Sequence, residues 1–282
     1  MKEVSIIIPA YNEEKTVSHL IDELKTEMKE YEHEIIVVND GSTDNTAKIV
    51  QEKDVVLIQL TKNRGYGFAL KTGIKKAKYD IIAIIDADGT YPAVKIPDLI
   101  RSIEEYDMVV GARSKQKIPL IRRPAKFLLN KLANYLTEVE IPDLNSGMRV
   151  FKKDVALKFL SLLPDRFSFT TTITLAMLTN DYLVKFIPID YLQRKGKSKI
   201  RPIRDTYNFI LLIIRTVMYF NPLKIFIPLS IMLFLMAMMV LCYSLFVLHK
   251  VMDISVIVIL MSSVQIAAMG LLADLIDKRS SS

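Results

Sequence analysis

Cysteine occurs once and histidine three times in this chain. A single cysteine, Cys242, excludes a disulfide framework and any thiolate metal site, and its position inside an apolar run marks it as lipid-facing or packing filler. His19, His33 and His249 fall at no spacing that would hold a metal. No basic segment and no cleavage site precede the run Val4–Pro9, so the sequence predicts no signal peptide and a first domain that stays in the cytoplasm. Charge is missing from two long stretches, the 24 residues Ile225–Leu248 and the 20 residues Ile254–Ala273. Each exceeds the roughly 18 apolar residues that cross a bilayer core, which excludes a purely soluble protein. Dense apolar runs through the first 222 residues exclude disorder.

The net charge of +7 is local rather than general. Two acid-free stretches hold it: Lys115, Lys117, Arg122, Arg123, Lys126 and Lys131, then Arg194, Lys195, Lys197, Lys199, Arg201 and Arg204. Without those twelve, residues 1–222 would carry −6. Concentrated basicity of this kind suits phosphates or anionic headgroups. A single aromatic residue, Phe127, stands among them, too few for the interleaved aromatics of a nucleic-acid surface, which argues against nucleic acid as a partner.

From Glu3 to about Ala112 apolar strand candidates alternate with helical patterns, the rhythm of a mostly parallel α/β sheet. The strands are expected at Val4–Pro9, Glu34–Asp40, Val55–Leu60, Ile81–Asp86 and Met108–Ala112. Val17, Leu20, Ile21, Leu24, Met28 and Tyr31 mark a crossover helix. Further on, helices are expected at Arg123–Leu136, Asp154–Leu163 and Thr170–Thr179, with strands at Met148–Phe151 and Leu183–Pro188. The predicted organisation is a catalytic domain over residues 1–200, an interfacial amphipathic helix region over 201–222, and a two-helix transmembrane hairpin over 223–282 with spans at about 225–248 and 254–273. Pro228 is expected in the first turn of the first span. Lys224, Lys278 and Arg279 outside the spans, against Lys250 between them, agree with both ends of the hairpin being cytoplasmic.

In open sheets of this kind ligands bind beyond the carboxyl ends of the strands, and those positions are unusually polar here. Asp86-Ala87-Asp88 follows the fourth strand; in extended chain its carboxylates face the same side and can share a hard cation that also carries a nucleotide diphosphate. Pro9-Ala10-Tyr11-Asn12-Glu13-Glu14 follows the first, where Pro9 stops the ladder and Tyr11 can offer a ring or hydroxyl to a base. Asn39-Asp40-Gly41-Ser42-Thr43-Asp44 follows the second, with Asp40 placed to accept from ribose or base and Ser42, Thr43 or Asp44 able to cap the next helix. Asn63-Arg64-Gly65-Tyr66-Gly67 follows the third.

Together these four segments resemble family 2 glycosyltransferases of the GT-A fold. The later Asp143-Leu144-Asn145-Ser146-Gly147-Met148-Arg149-Val150-Phe151 and Arg194-Lys195-Gly196-Lys197-Ser198-Lys199 are similar to dolichyl-phosphate mannose synthases and bacterial polyisoprenyl-phosphate glycosyltransferases. The resemblance covers about residues 3–205, and over the hairpin it is one of architecture alone. It implies that Pro9, Tyr11, Glu13, Asp40, Asp86 and Ala87 bind the nucleotide and that Asp86 and Asp88 hold Mg2+ or Mn2+. It implies that Arg113, Arg122, Arg123, Asn145, Ser146, Arg194 and Lys199 serve the phosphates and the lipid acceptor, with Asp86, Asp88, Arg123 and Arg194 catalytic. One departure is Thr90, which stands where the mannose synthases carry a glutamine as a further metal ligand.

The activity so implied is inverting transfer of a sugar from a UDP- or GDP-sugar to dolichyl or undecaprenyl phosphate at the cytoplasmic face of a membrane, and the hairpin leaves room for a homo-oligomer. A processive polysaccharide synthase would carry a Gln-x-x-Arg-Trp motif, and this chain has no tryptophan. A nucleotidyltransferase would show a glycine-rich loop ending in Arg, absent after Ile8. An inactive nucleotide-binding membrane tether would have no use for Asp40, Asp86 and Asp88 together.

Overall fold

A computed structural model of the chain describes residues 3–114, 131, 133–135, 137–166, 168–192, 218, 222–248 and 253–280. The chain divides into two compact units, Met1–Leu212 and Ile213–Ser282.

The first unit is built on β1 (Glu3–Ala10), α1 (Val17–Glu27), β2 (Glu32–Asn39), α2 (Thr46–Gln51), β3 (Val56–Gln59), α3 (Tyr66–Lys76), β4 (Ile81–Ile84), α4 (Ile96–Ser102), β5 (Met108–Arg113), β6 (Arg149–Lys152), α5 (Lys153–Phe159), α6 (Phe169–Thr179) and β7 (Val184–Ile189). The strands form one sheet in the order β3-β2-β1-β4-β6-β5-β7. Every pairing is parallel except those of β6, which is antiparallel to β4 and β5. Alternation along β1 shows how both faces are covered: Val4, Ile6, Ile8 and Ala10 pack with Leu20, Ile21 and Leu24 of α1 and Leu99 and Ile100 of α4, whereas Ile7 lies against Gly73 of α3. A strand buried on both faces reads as a continuous apolar run, which is why these strands were legible.

Two expectations need correction at strand ends. Pro9 does not stop the ladder, since it pairs with Val38 and Ala10 pairs with Asn39. Pairing on the β4 side ends at Ile7, where Ile85 N–H reaches the Ile7 carbonyl at 3.2 Å. Backbone alternation aims the missing N–H of Pro9 to that finished side, where it costs nothing. The fourth strand ends at Ile84, so Asp86 and Asp88 lie in the turn beyond it rather than on extended chain.

Since β6 runs against its neighbours, its first residue, Arg149, pairs with Ile84 and Val110 near the carboxyl ends of β4 and β5. Residues 143–148 therefore join the loops after β1 to β5 at one edge of the sheet.

The second unit consists of α7 (Leu223–Tyr243), a π-helical turn (Ser244–Leu248) and α8 (Asp253–Ser280). The helices are antiparallel: Ser230 Oγ donates to the Ser263 carbonyl at 2.9 Å, and Gly270 lies against Phe226. Leu223–Val247 and Ile254–Ile276 are long and apolar enough to cross a membrane, with mean hydropathy 2.7 and 2.3. Pro228 sits inside α7 rather than in its first turn, because the helix begins at Leu223. It therefore removes one intrahelical hydrogen bond.

Candidate active site

The loops after β1 and β2 are laced by side chains. Asn12, at φ 58°, accepts the Thr43 N–H on Oδ1 at 2.8 Å and donates its own N–H to Ser42 Oγ at 3.0 Å. Glu13 N–H donates to Thr46 Oγ1 at 2.9 Å, and Asp44 accepts from Thr46 N–H at 3.0 Å and from Glu14 N–H at 3.2 Å. Of the three capping candidates it is thus Asp44 that receives the start of α2. Asp40 is buried, and its two oxygens accept the N–H groups of Arg64 and Gly65, each at 2.8 Å. It holds the start of α3 in place beside the half-buried Tyr11 loop.

Asp86 is half-buried and accepts a hydrogen bond on Oδ1 from the Tyr66 hydroxyl at 2.8 Å. Burial first, and then the charge of Asp88, push its pKa up to about 6 against the pull of Tyr66, Arg113 and Arg149. Burial and the Asp86 charge in turn push the Tyr66 hydroxyl well above its ordinary value, so the phenol stays a donor. Asp88 Oδ1 accepts from the Thr90 hydroxyl at 2.6 Å and its N–H at 3.2 Å. Thr90, fully buried, therefore orients Asp88 where a glutamine was looked for as a ligand. Ala87 between them is buried, so only its backbone can meet a ligand.

On the other side stands the segment leading into β6. A Cβ on Gly147 would overlap the Asp86 carboxylate, so only glycine lets the two segments meet. Gly147 N–H donates to the buried Tyr91 hydroxyl at 2.7 Å. Asp143 takes Nε and Nη2 of Arg113 at 2.6 and 2.8 Å. Burial alone would lower the Arg113 pKa and raise that of Asp143; the hydrogen bonds between them outweigh it in both, so each stays charged. Arg113, expected at phosphate, is thus committed in large part to Asp143. Ser146 is fully buried and donates to the Gly111 carbonyl at 2.6 Å. Its hydroxyl is thus spent on tying the loop to β5. Asn145 is exposed and accepts from the Thr171 hydroxyl.

Arg149 is the group that sequence reasoning passed over. It is fully buried and donates to the Ser146 carbonyl at 2.6 Å, the Thr170 carbonyl at 3.0 Å and Thr174 Oγ1 at 2.9 Å. Its Nε has no partner, and among the described residues no carboxylate pairs with it. Burial lowers its pKa to about 10, which leaves it cationic at neutral pH and close enough to favour ionised Asp86.

The donor set of Asp86 and Asp88 fits a hard divalent ion: two carboxylates crowd each other, and oxygen ligands suit such a cation. Among the described residues no third acidic, His or Cys side chain completes a cluster, so substrate phosphates and water would fill the remaining positions.

Residues 5–160 match the family described as glycosyl transferase family 2, and residues 221–278 match the GtrB C-terminal hairpin. The chain belongs to glycosyl transferase family 2. This family 2 member is 31% identical over 225 residues to an uncharacterized protein of Methanocaldococcus jannaschii, covering 74% of this chain and 91% of that one. It is 28% identical over 300 residues to the dodecaprenyl-phosphate galacturonate synthase of Rhizobium johnstonii, covering 97% of this chain and 87% of that one. It spans about half the length of other relatives it matches, such as the undecaprenyl-phosphate 4-deoxy-4-formamido-L-arabinose transferase of Proteus mirabilis, 31% identical with 55% of this chain and 50% of that one covered. Glucosyl-3-phosphoglycerate synthase of Mycobacterium tuberculosis, solved with Mn2+, UDP and phosphoglyceric acid, shares the fold at TM-score 0.62 and 17% identity, covering 77% of this chain and 78% of that one. The expected GT-A architecture is therefore present, and the apolar helices are those of a membrane protein.

In this glycosyltransferase the sheet edge brings together Tyr11, Glu13, Asp40, Asp86, Asp88, Arg113 and Asn145. Arg122, Arg123, Arg194 and Lys199 lie outside the described residues, as does nearly all of the expected interfacial helix region.

Proposed function

We propose that this chain is a membrane-bound inverting glycosyltransferase that moves a sugar from a nucleotide-sugar to a polyisoprenyl phosphate. The observation that carries this reading is the anchored pair Asp86 and Asp88 at the sheet edge of a chain that also bears the GtrB hairpin. A polyisoprenyl phosphate is already an anion at neutral pH, so the nucleophile needs positioning against a second anion more than it needs a general base. Pro9, Tyr11, Glu13 and Asp40 hold the nucleoside, the last by fixing the start of α3. Asp86 and Asp88 would hold Mg2+ or Mn2+, which when bound would supply positive charge against a nucleotide diphosphate. Arg122, Arg123, Arg194 and Lys199 offset repulsion between donor and acceptor phosphates.

Residues 1–200 form the catalytic domain at the cytoplasmic face, 201–222 lie at the interface, and 223–282 anchor the protein. The Rhizobium and Proteus relatives, named for dodecaprenyl- and undecaprenyl-phosphate products or acceptors, support a lipid-linked product.

The test is a panel of UDP- and GDP-sugars offered with undecaprenyl or dolichyl phosphate, with products identified by mass. One donor should give a glycolipid, chelator should stop the reaction, and Asp88→Ala should reduce transfer at least 100-fold (roughly, by loss of a ligand and its charge) while the protein stays folded in the membrane. Normal turnover by Asp88→Ala would remove the metal role.

A further inference from the structure

No step of the reading above uses the hydroxyl of Tyr66, yet it reaches across from α3 to Asp86 Oδ1 at 2.8 Å. Its base is held from two sides. Asp40 binds the N–H groups of Arg64 and Gly65, and the Pro164–Arg166 segment closes over α3, with Phe68 N–H donating to the Asp165 carbonyl at 2.8 Å. Opposite the phenol, the second oxygen of Asp86 lies against Gly147, which Tyr91 fixes through its N–H. Among the described residues Oδ2 takes no hydrogen bond. The carboxylate thus has one oxygen tied, its plane wedged, and one oxygen left for another partner. On Asp88, Oδ1 accepts from the Thr90 hydroxyl.

We propose that Tyr66 is a positioning residue for the divalent cation, orienting Asp86 so that its second oxygen joins Asp88 as a ligand of the ion that carries the nucleotide diphosphate. This rests on the reading of Asp86 and Asp88 as metal ligands. A carboxylate that must be fixed before it ligates depends on its outer partners, and loss of such a partner costs about 10–100-fold in metal affinity. Tyr66→Phe removes the donor and keeps the ring that packs at the start of α3.

The experiment uses full-length protein in detergent with Mn2+ titrated in the presence of saturating UDP or GDP, whichever the wild type binds, reading free Mn2+ by electron paramagnetic resonance. Wild type, Tyr66→Phe and Asp88→Ala are compared, together with nucleotide affinity in chelator and the melting temperature. Tyr66→Phe should weaken Mn2+ binding about tenfold or more, leave chelator-state nucleotide affinity and melting unchanged, and recover transfer at high Mn2+. Unchanged Mn2+ affinity would overturn the proposal, as would parallel losses of metal-free nucleotide affinity and stability, which mark a purely structural phenol. A wild type that binds Mn2+ no better than Asp88→Ala would instead sink the metal reading itself, and this proposal with it.

Discussion

Two carboxylates separated by one residue repel each other once buried, and their geometry survives only because groups from distant parts of the chain hold them. Tyr66 and Gly147 fix Asp86, Thr90 fixes Asp88, and the buried guanidinium of Arg149 supplies positive potential without pairing to either. Gly147→Ala tests how tightly the arrangement is set. The new methyl would overlap the Asp86 carboxylate, which must move. A displacement on the order of 1 Å at a reacting site costs about 100-fold in rate, whereas overpacking costs about 1–3 kcal/mol of stability. The variant should therefore melt moderately lower and turn over about 100-fold more slowly; near-normal turnover with the same melting shift would mean the carboxylate's position is not critical. The acidic pair and the nucleotide-side motifs were readable because each is contiguous in sequence. The roles of Tyr66, Tyr91 and Arg149 were not, although Tyr66 and Arg149 stand inside motifs, since these partners lie 20, 56 and 21–25 residues away and nothing in local spacing announces them. Thr90 reads in the sequence as a departure from the glutamine of the mannose synthases, although a threonine two residues after an Asp can bond back to it.

At the scale of elements, β-strands buried on both faces and an amphipathic α1 gave unmistakable periodicity, and their positions were found within a few residues. The strand before Asp86 is two residues shorter than the sequence suggests, because apolar Ile85 continues the run after strand pairing has ended. Helix α6 shows a different logic: ten of its residues are buried, including four threonines, and the hydroxyls of Thr172, Thr174 and Thr179 bond back to carbonyls one turn earlier. Thr170 and Thr174 then receive Arg149, so a polar face inside the protein is spoken for. The start of α3 depends on contact between backbones. A Cβ on Gly67 would overlap the Pro164 carbonyl, and backbone yields less readily than a side chain. Gly67→Ala should lower stability by about 1–3 kcal/mol through that overlap. Gly73→Ala, whose new methyl would meet the Ile7 side chain first, should cost less. Thermal melts of the two variants decide it; equal shifts would show that the Pro164–Arg166 segment can retreat without penalty.

For the whole molecule the decisive feature is an apolar surface with no partner among the described residues. Met239 is 71% exposed and Ile254 80% exposed on helices whose composition suits a bilayer. A polyisoprenyl phosphate faces the same constraint, since drawing its chain into water costs about 0.8 kcal/mol per CH2. An enzyme that left the membrane would have to extract several isoprene units before reaction, whereas an anchored one meets the phosphate at headgroup level. The penalty falls away for a short, water-soluble isoprenyl phosphate. A protein ending at Leu212, the limit of the first compact unit, should therefore keep transfer to the short acceptor while losing at least about 100-fold on a long-chain acceptor in vesicles, the equivalent of three to four exposed CH2 groups. The ratio of the two rates, measured beside the full chain and with melting curves as a check on folding, isolates anchoring from catalysis. An unchanged ratio would mean that the hairpin contributes nothing to lipid capture and serves assembly or stability instead.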